Sequence, residues 1–248
     1  MKFNKSILGL AILFASCTSH VTEEKRISFI DDDELVILNG NVKQMTEISE
    51  DSPLNIGQDY SIFFLNKRGD LTETISGFHG SVDKTSYIIN YDKNGKKRVA
   101  MGYFNLLDPV NIPKASSRIF HKADTGNKLM SIFKYDKENH VVEYIVGPNS
   151  YSPERSNYKY NNSGDIILCD NYNSSNLLES ILRFSYDNNH NIAEIDEYSS
   201  DNHLQYQTHY NYTAFDQKNN WTKAIMRSNP IGSKYSRSFP IKRKIIYY

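Results

Sequence analysis

Tyr158-Lys159-Tyr160-Asn161-Asn162-Ser163-Gly164-Asp165 and Phe184-Ser185-Tyr186-Asp187-Asn188-Asn189-His190-Asn191 are the stretches that decide the fold. In each, two aromatic residues are separated by one position and an Asp or Asn follows the second. Residues i and i+2 of a strand share one face, so the aromatic pair reads as the end of a strand. The Asp or Asn supplies a turn-forming side chain, and the position four past the second aromatic, Gly or Asn in the pattern, here Gly164 and His190, is where the turn needs a positive φ. Each stretch therefore predicts a strand, a tight turn and a returning strand.

The same pattern, with an apolar or an aromatic residue at either place of the pair, recurs along the chain. The pairs are Phe63/Leu65, Ile89/Tyr91, Phe133/Tyr135, Tyr158/Tyr160, Phe184/Tyr186 and Tyr210/Tyr212, with successive second members 26, 44, 25, 26 and 26 residues apart. The long interval contains Pro109 and Pro113 and reads as an insertion. Gly69, Gly95, Gly164, Asp136 and Asp187 fall at turn positions of their units. In the last unit the pattern slips by three, so that Phe215 takes the place of the second aromatic and Asn219, Asn220 and Trp221 follow in register. Trp221 is expected to cap the final strand of an array whose ends need covering. Second turns are predicted near residues 173–176 and 199–202. Residues 35–38, Asn39-Gly40 and 42–48 predict a hairpin, and residues 241–248 a closing strand. The expectation is an all-β, antiparallel meander of tandem β-hairpins with a repeat of about 26 residues, forming one domain over residues 35–248.

Tyrosine is abundant, with 18 in 248 residues. Tyr160, Tyr172, Tyr186, Tyr198 and Tyr212 are the candidate binding surface, because an outward Tyr offers an apolar ring with a hydrogen-bonding tip. Ordinary cross-strand packing is the alternative for each.

The chain opens differently. Lys2 and Lys5 precede an apolar run over residues 7–15, too short for a transmembrane helix but fitting the core of a secretory signal. It ends in Phe14-Ala15-Ser16-Cys17, which resembles the bacterial lipobox, Phe14 standing where an aliphatic residue is usual. That resemblance implies a signal peptide over residues 1–16 and lipidation at Cys17. Residues 17–34, ending in Asp31-Asp32-Asp33-Glu34, then read as anchor and solvated tether. Thr18 is not the Asp that often retains lipoproteins in the inner membrane, so the lipobox analogy implies an outer membrane lipoprotein of a Gram-negative bacterium, facing the periplasm or the surface. Cys169 is then left without a disulfide partner, and its apolar surroundings in sequence predict a buried, inert thiol.

Composition excludes several classes. Lys plus Arg number 29 and Asp plus Glu 29, so there is no basic excess to bind nucleic acid. A 12% aromatic content argues for a folded chain despite a mean hydropathy of −0.59. The seven histidines form no cluster with zinc-ligand spacing, and there is no Gly-rich phosphate loop. The Asp/Asn-rich segments lack the convergent carboxylates of a calcium loop. Glu143, Asp165, Glu179, Glu194, Asp196 and Glu197 lie on or near predicted strands and read as a solvated sheet face. No catalytic, cofactor-binding or metal-binding residues are expected, and no cofactor.

The quoted stretches resemble degenerate YD repeats of the Rhs type. Over residues 36–248 the chain is similar to small secreted or lipid-anchored proteins of Bacteroidetes that carry such repeats. Asn41-Val42-Lys43 resembles their opening strand, Asn219-Asn220-Trp221-Thr222 their final Gly-Asn-Trp-Thr, and Arg243-Lys244-Ile245-Ile246-Tyr247-Tyr248 their closing strand. The resemblance implies an all-β repeat and an envelope location, and it carries no catalytic residues. The resulting expectation is a lipid-anchored envelope protein, a non-catalytic binding or scaffold module with a protein or glycan partner. A glycan-acting hydrolase and a periplasmic immunity or inhibitor protein are the alternatives.

Overall fold

The structure, a computed structural model, describes residues 26–31, 34–49, 59–78, 81–107, 128–146 and 155–248. The predicted signal, Cys17 and most of the Pro-containing insertion lie outside the described residues. Two strands, β1 (Arg26–Asp31) and β2 (Glu34–Asn39), form their own antiparallel sheet. The next run is β3 (Val42–Ser49), β4 (Asp59–Leu65), β5 (Leu71–Phe78), β6 (Ser81–Tyr91), β7 (Lys97–Leu107), β8 (Lys128–Tyr135) and β9 (Val141–Val146). It continues through β10 (Arg155–Tyr160), β11 (Ile166–Tyr172), β12 (Leu178–Tyr186), β13 (Ile192–Ser199), β14 (Leu204–Phe215), β15 (Trp221–Pro230) and β16 (Arg237–Tyr247). From β3 onward each strand pairs antiparallel with the next, and β16 pairs back onto β3 with Ile245 opposite Met45. The result is a closed barrel of 14 strands.

The repeating turns have one geometry. Asn66, Asp92, Asp136, Asn161, Asp187 and Asp216 each accept, through side-chain Oδ1, the backbone N–H groups two and four residues later. The residue three places on is left-handed: Gly69, Gly95 and Gly164 at φ of 84, 76 and 80°, and Asn139, His190 and Asn219 at 69, 60 and 57°. The Asp or Asn thus satisfies two N–H groups that the turn would otherwise leave without partners. Turns at Asn173–Asn176 and Ser199–Asn202 close the other end of the hairpins with the same backbone bonds.

Fourteen strands enclose a space wider than their own side chains fill. The β1–β2 hairpin occupies it. Ile27, Phe29, Val36 and Leu38 pack with Met45, Phe63 and Leu71 on one side, and Ile30 packs with Phe133, Tyr144 and Tyr158 on another. Leu35 and Ile37 face Leu182, Tyr210 and Ile241 across a cavity. Val36 and Leu38 have 0% exposure. Two expectations are corrected here. Residues 26–31 are a strand inside the barrel, not part of a solvated tether, because Ile27, Phe29 and Ile30 are apolar and find apolar partners. Residues 35–38 pair with β1 and not with β3; at Asn39–Asn41 the chain leaves the lumen and enters the wall, with Gly40 at φ 84°. Closure also removes the array ends, so Trp221 is a lumen-facing wall residue and caps no edge.

The outer face of the wall mixes polar and apolar residues, with Ile88 at 46% and Ile246 at 40% exposure among the latter. Along β14 the residues alternating with Tyr210 and Tyr212 are Gln205, Gln207, His209, Asn211 and Thr213. Outward ion pairs join neighbouring strands: Lys84–Glu73 at 2.6 Å, Lys159–Asp170 at 3.4 Å, and Lys134 with Glu143.

Candidate functional site

The turn end of the barrel fixes the hairpin in place. In several units the residue following the left-handed turn position is buried, as Asp70, Asp165, Asn191 and Asn220 are, and in two it grips the hairpin's ends. Asp165 Oδ1 pairs with Arg26 at 2.6 Å, and the Arg26 guanidinium also donates to the His190 carbonyl at 3.2 Å. Asn220 accepts from the Asn39 N–H at 2.7 Å and donates to the Asn39 carbonyl at 2.9 Å. Burial opposes ionisation of Asp165, yet bonds from Arg26, His190 and Asn161 outweigh it and lower its pKa. Asp70 stands at the equivalent place. Burial again opposes its charge, but Tyr91 at 2.6 Å and Lys97 at 3.1 Å prevail, so its pKa is also lowered. Arg26, Arg68, Asp70, Lys97 and His140 line a polar cavity of about 420 Å³ at this end.

A tyrosine latch repeats around the lumen. Tyr160, Tyr186 and Tyr212 donate to the carbonyls of Val141, Ile166 and Ile192 at 2.7, 2.7 and 2.6 Å, each the first residue of an earlier strand. Burial raises all three phenol pKa values, which keeps the donors protonated. These three are therefore inward packing residues, a correction to their place in a binding surface. Their parity within the strand sends them inward with Tyr158, Phe184 and Tyr210. Tyr172 and Tyr198 take the opposite parity and face outward, each covered by a guanidinium, Arg155 at 4.2 Å and Arg183 at 4.3 Å from the ring centroid. The five tyrosines do not form one platform.

The larger cavity, about 450 Å³, lies between the hairpin and the wall from β12 to β16 and β3. Leu35 and Ile37 form one side; Leu182, Ile195, Tyr210 and Met226 are on the other. Trp221 floors it, tilted against Tyr212 at 5.4 Å between ring centroids. The Arg243 guanidinium lies 3.5 Å from the Trp221 ring centroid and its Nε is 2.6 Å from Glu47 Oε2. Ser49, Glu47 and Arg243 give this wall a polar end. Further round the lumen the polar level continues as a hydrogen-bonded row, Ser156 to Asn171 at 2.8 Å and Asn171 to Ser180 at 3.1 Å. Glu197, opposite Leu182, carries a carboxyl whose pKa burial raises.

Sequence reasoning did not single out Glu47, Arg243, Leu35 or Ile37. Arg243 alternates with Ile241 and Ile245, a parity that places it inside. Cys169 is buried, its thiol 3.1 Å from Asn171 Oδ1. Gly69, Gly95, Gly164, Asp136 and Asp187 all sit in the turns described above. Among the described residues no group of three His, Cys, Asp or Glu could hold a metal ion.

No family model matches the chain, and no curated protein matches it. Among solved structures, a porin-like protein from Bacteroides uniformis is similar at 8% identity and a TM-score of 0.48, over 83% of this chain and 98% of that one.

Proposed function

We propose that the protein is an exported envelope lipoprotein, acylated at Cys17, whose YD/Rhs-like barrel binds and does not catalyse. Its ligand is a small amphipathic molecule held in the lumen. The observation that carries this reading is the cavity of about 450 Å³ between the hairpin and the wall, apolar along its length and polar at one end. Cavities of about 300–1,000 Å³ lined mainly by apolar and aromatic groups are the usual form of small-molecule sites. A glycan-acting hydrolase would need two carboxylates placed for acid and base work. Among the residues lining this cavity Glu47 is the sole carboxylate, and Arg243 holds it in an ion pair.

Trp221 provides the test, since it is the chain's single Trp and lines the cavity. The uncharged probe N-phenyl-1-naphthylamine should bind saturably and take energy from Trp221. Ile195→Phe, which fills the space, should abolish the transfer while leaving the unfolding curve in place. Transfer that fails to saturate, or that survives Ile195→Phe, would refute a luminal site.

A further inference from the structure

The formal neutrality of the chain conceals a strong separation of charge. Residues 217–248 hold eight of the 29 Lys and Arg and none of the 29 Asp and Glu, leaving 21 cations against 29 carboxylates in the rest. The fold gathers this separation onto one side. Lys223 and Arg227 of β15, and Lys242 and Lys244 of β16, alternate with lumen-facing Ala224, Met226, Ile241 and Arg243, and so point outward. Lys223 stands directly opposite Lys242 across the strand pair. Like charges in that position destabilise a sheet. Across β14, β15, β16, β3 and β4 the carboxylates are Glu47 and Asp59, and both share the inward parity of their strands. Elsewhere on the wall outward cations meet partners, as in Lys84–Glu73 and Lys159–Asp170. Among the described residues, Lys223, Arg227, Lys234, Arg237 and Lys244 have no carboxylate at ion-pair distance.

The same side carries exposed apolar groups. The loop joining β15 to β16 presents Ile231 at 49% and Tyr235 at 83% exposure, flanked by Lys234 and Arg237. A soluble polyanion would satisfy the cations but leave these side chains in water. An anionic bilayer satisfies both, with phosphates at the cations and the Ile and Tyr side chains at the headgroup level. We infer that the outer face of β15 and β16, with its connecting loop, docks on an anionic phospholipid surface. This surface is separate from the luminal cavity and requires no acyl chain.

The test uses the full chain carrying Cys17→Ser, so that no lipid anchor contributes. It is sedimented with vesicles of mixed phosphatidylglycerol and phosphatidylcholine, and with phosphatidylcholine alone. A basic residue near an anionic surface strengthens binding about fivefold, so several acting together should favour the anionic vesicles by more than about tenfold. The triple charge reversal Lys223→Glu, Arg227→Glu and Lys244→Glu should remove the preference, and Lys223→Arg with Lys244→Arg should keep it. High salt should weaken it. Ile231→Asn with Tyr235→Ser, confined to the loop, should lower binding to anionic vesicles and serves if the triple variant does not fold. Equal binding to both vesicles would overturn the inference. So would a preference that survives charge reversal in a folded variant, or loop substitutions that change nothing while a soluble polyanion binds.

Discussion

Leu38→Ala measures whether the N-terminal hairpin belongs to the barrel's core. Leu38 has no exposed surface and packs in the cluster that includes Val36, Met45 and Phe63. The substitution removes three carbons, about 2.4 kcal/mol at roughly 0.8 kcal/mol per buried CH₂. The residual cavity raises the expected loss to about 3–5 kcal/mol, because close-packed neighbours relax only in part. That is a large share of the roughly 5–15 kcal/mol that stabilises a typical domain. In urea, with a denaturant slope of about 2–3 kcal/mol per M, the midpoint should fall by more than about 1 M in a single transition. Leu177→Ala is the control: this side chain is 64% exposed in a turn, and its removal should cost below about 0.5 kcal/mol. Equal midpoints for Leu38→Ala and the wild type would refute the packing of the hairpin inside the wall. A separate early transition in the wild type would do the same, since it would show a hairpin that leaves without unfolding the barrel.

Three further outcomes follow from the turns and the buried carboxyls. Gly95→Ala should destabilise by about 1 kcal/mol, measured by urea unfolding, through the backbone alone: φ is 76° and an added Cβ would meet nothing within 4 Å. Asp165→Asn should cost most near neutral pH. The folded-state pKa of Asp165 is lowered, so its contribution is present above the ordinary carboxyl value and is lost as pH falls through the folded value. The gap between variant and wild type in thermal midpoint should therefore narrow in acid, and a gap independent of pH would contradict the Arg26 clamp. Glu197→Gln should behave with opposite sign, raising the thermal midpoint at neutral pH, because burial raises the Glu197 pKa and works against its charge.

Much of the wall was legible in the sequence because each hairpin is a local event. An aromatic pair, an Asp or Asn and a left-handed residue lie within a few positions, and their spacing alone locates the turns from Asn66 to Asn219. The closing strand, β16, was legible over residues 241–248 from its own residues, without a turn motif beside it. The direction of the tyrosines followed a rule that sequence contains but does not resolve. Alternation separates Tyr160, Tyr186 and Tyr212 from Tyr172 and Tyr198, yet only closure shows which side is inside. The hairpin in the lumen was not legible. Its first strand is short, follows a polar stretch and precedes four acidic residues, so composition favoured a tether. What fixes it inside are contacts such as Arg26 with Asp165 and Asn39 with Asn220, more than 130 residues apart. The cavity and its Glu47–Arg243 pair depend on the same long-range closure. Net charge misled in another way: a sum of zero is silent about where the charges lie, and here a single pair of neighbouring strands with its loop carries much of the basic excess.

Hydrogen exchange of the Arg26–Asp31 amides tests the central claim most directly. A strand paired with β2 and enclosed by the barrel opens only when the barrel unfolds, so its hydrogen-bonded amides should be protected to the same degree as those of β11 and β12. Exchange at the rate of an unstructured chain would show a tether outside the wall, and would remove both the packed lumen and the cavity that depends on it.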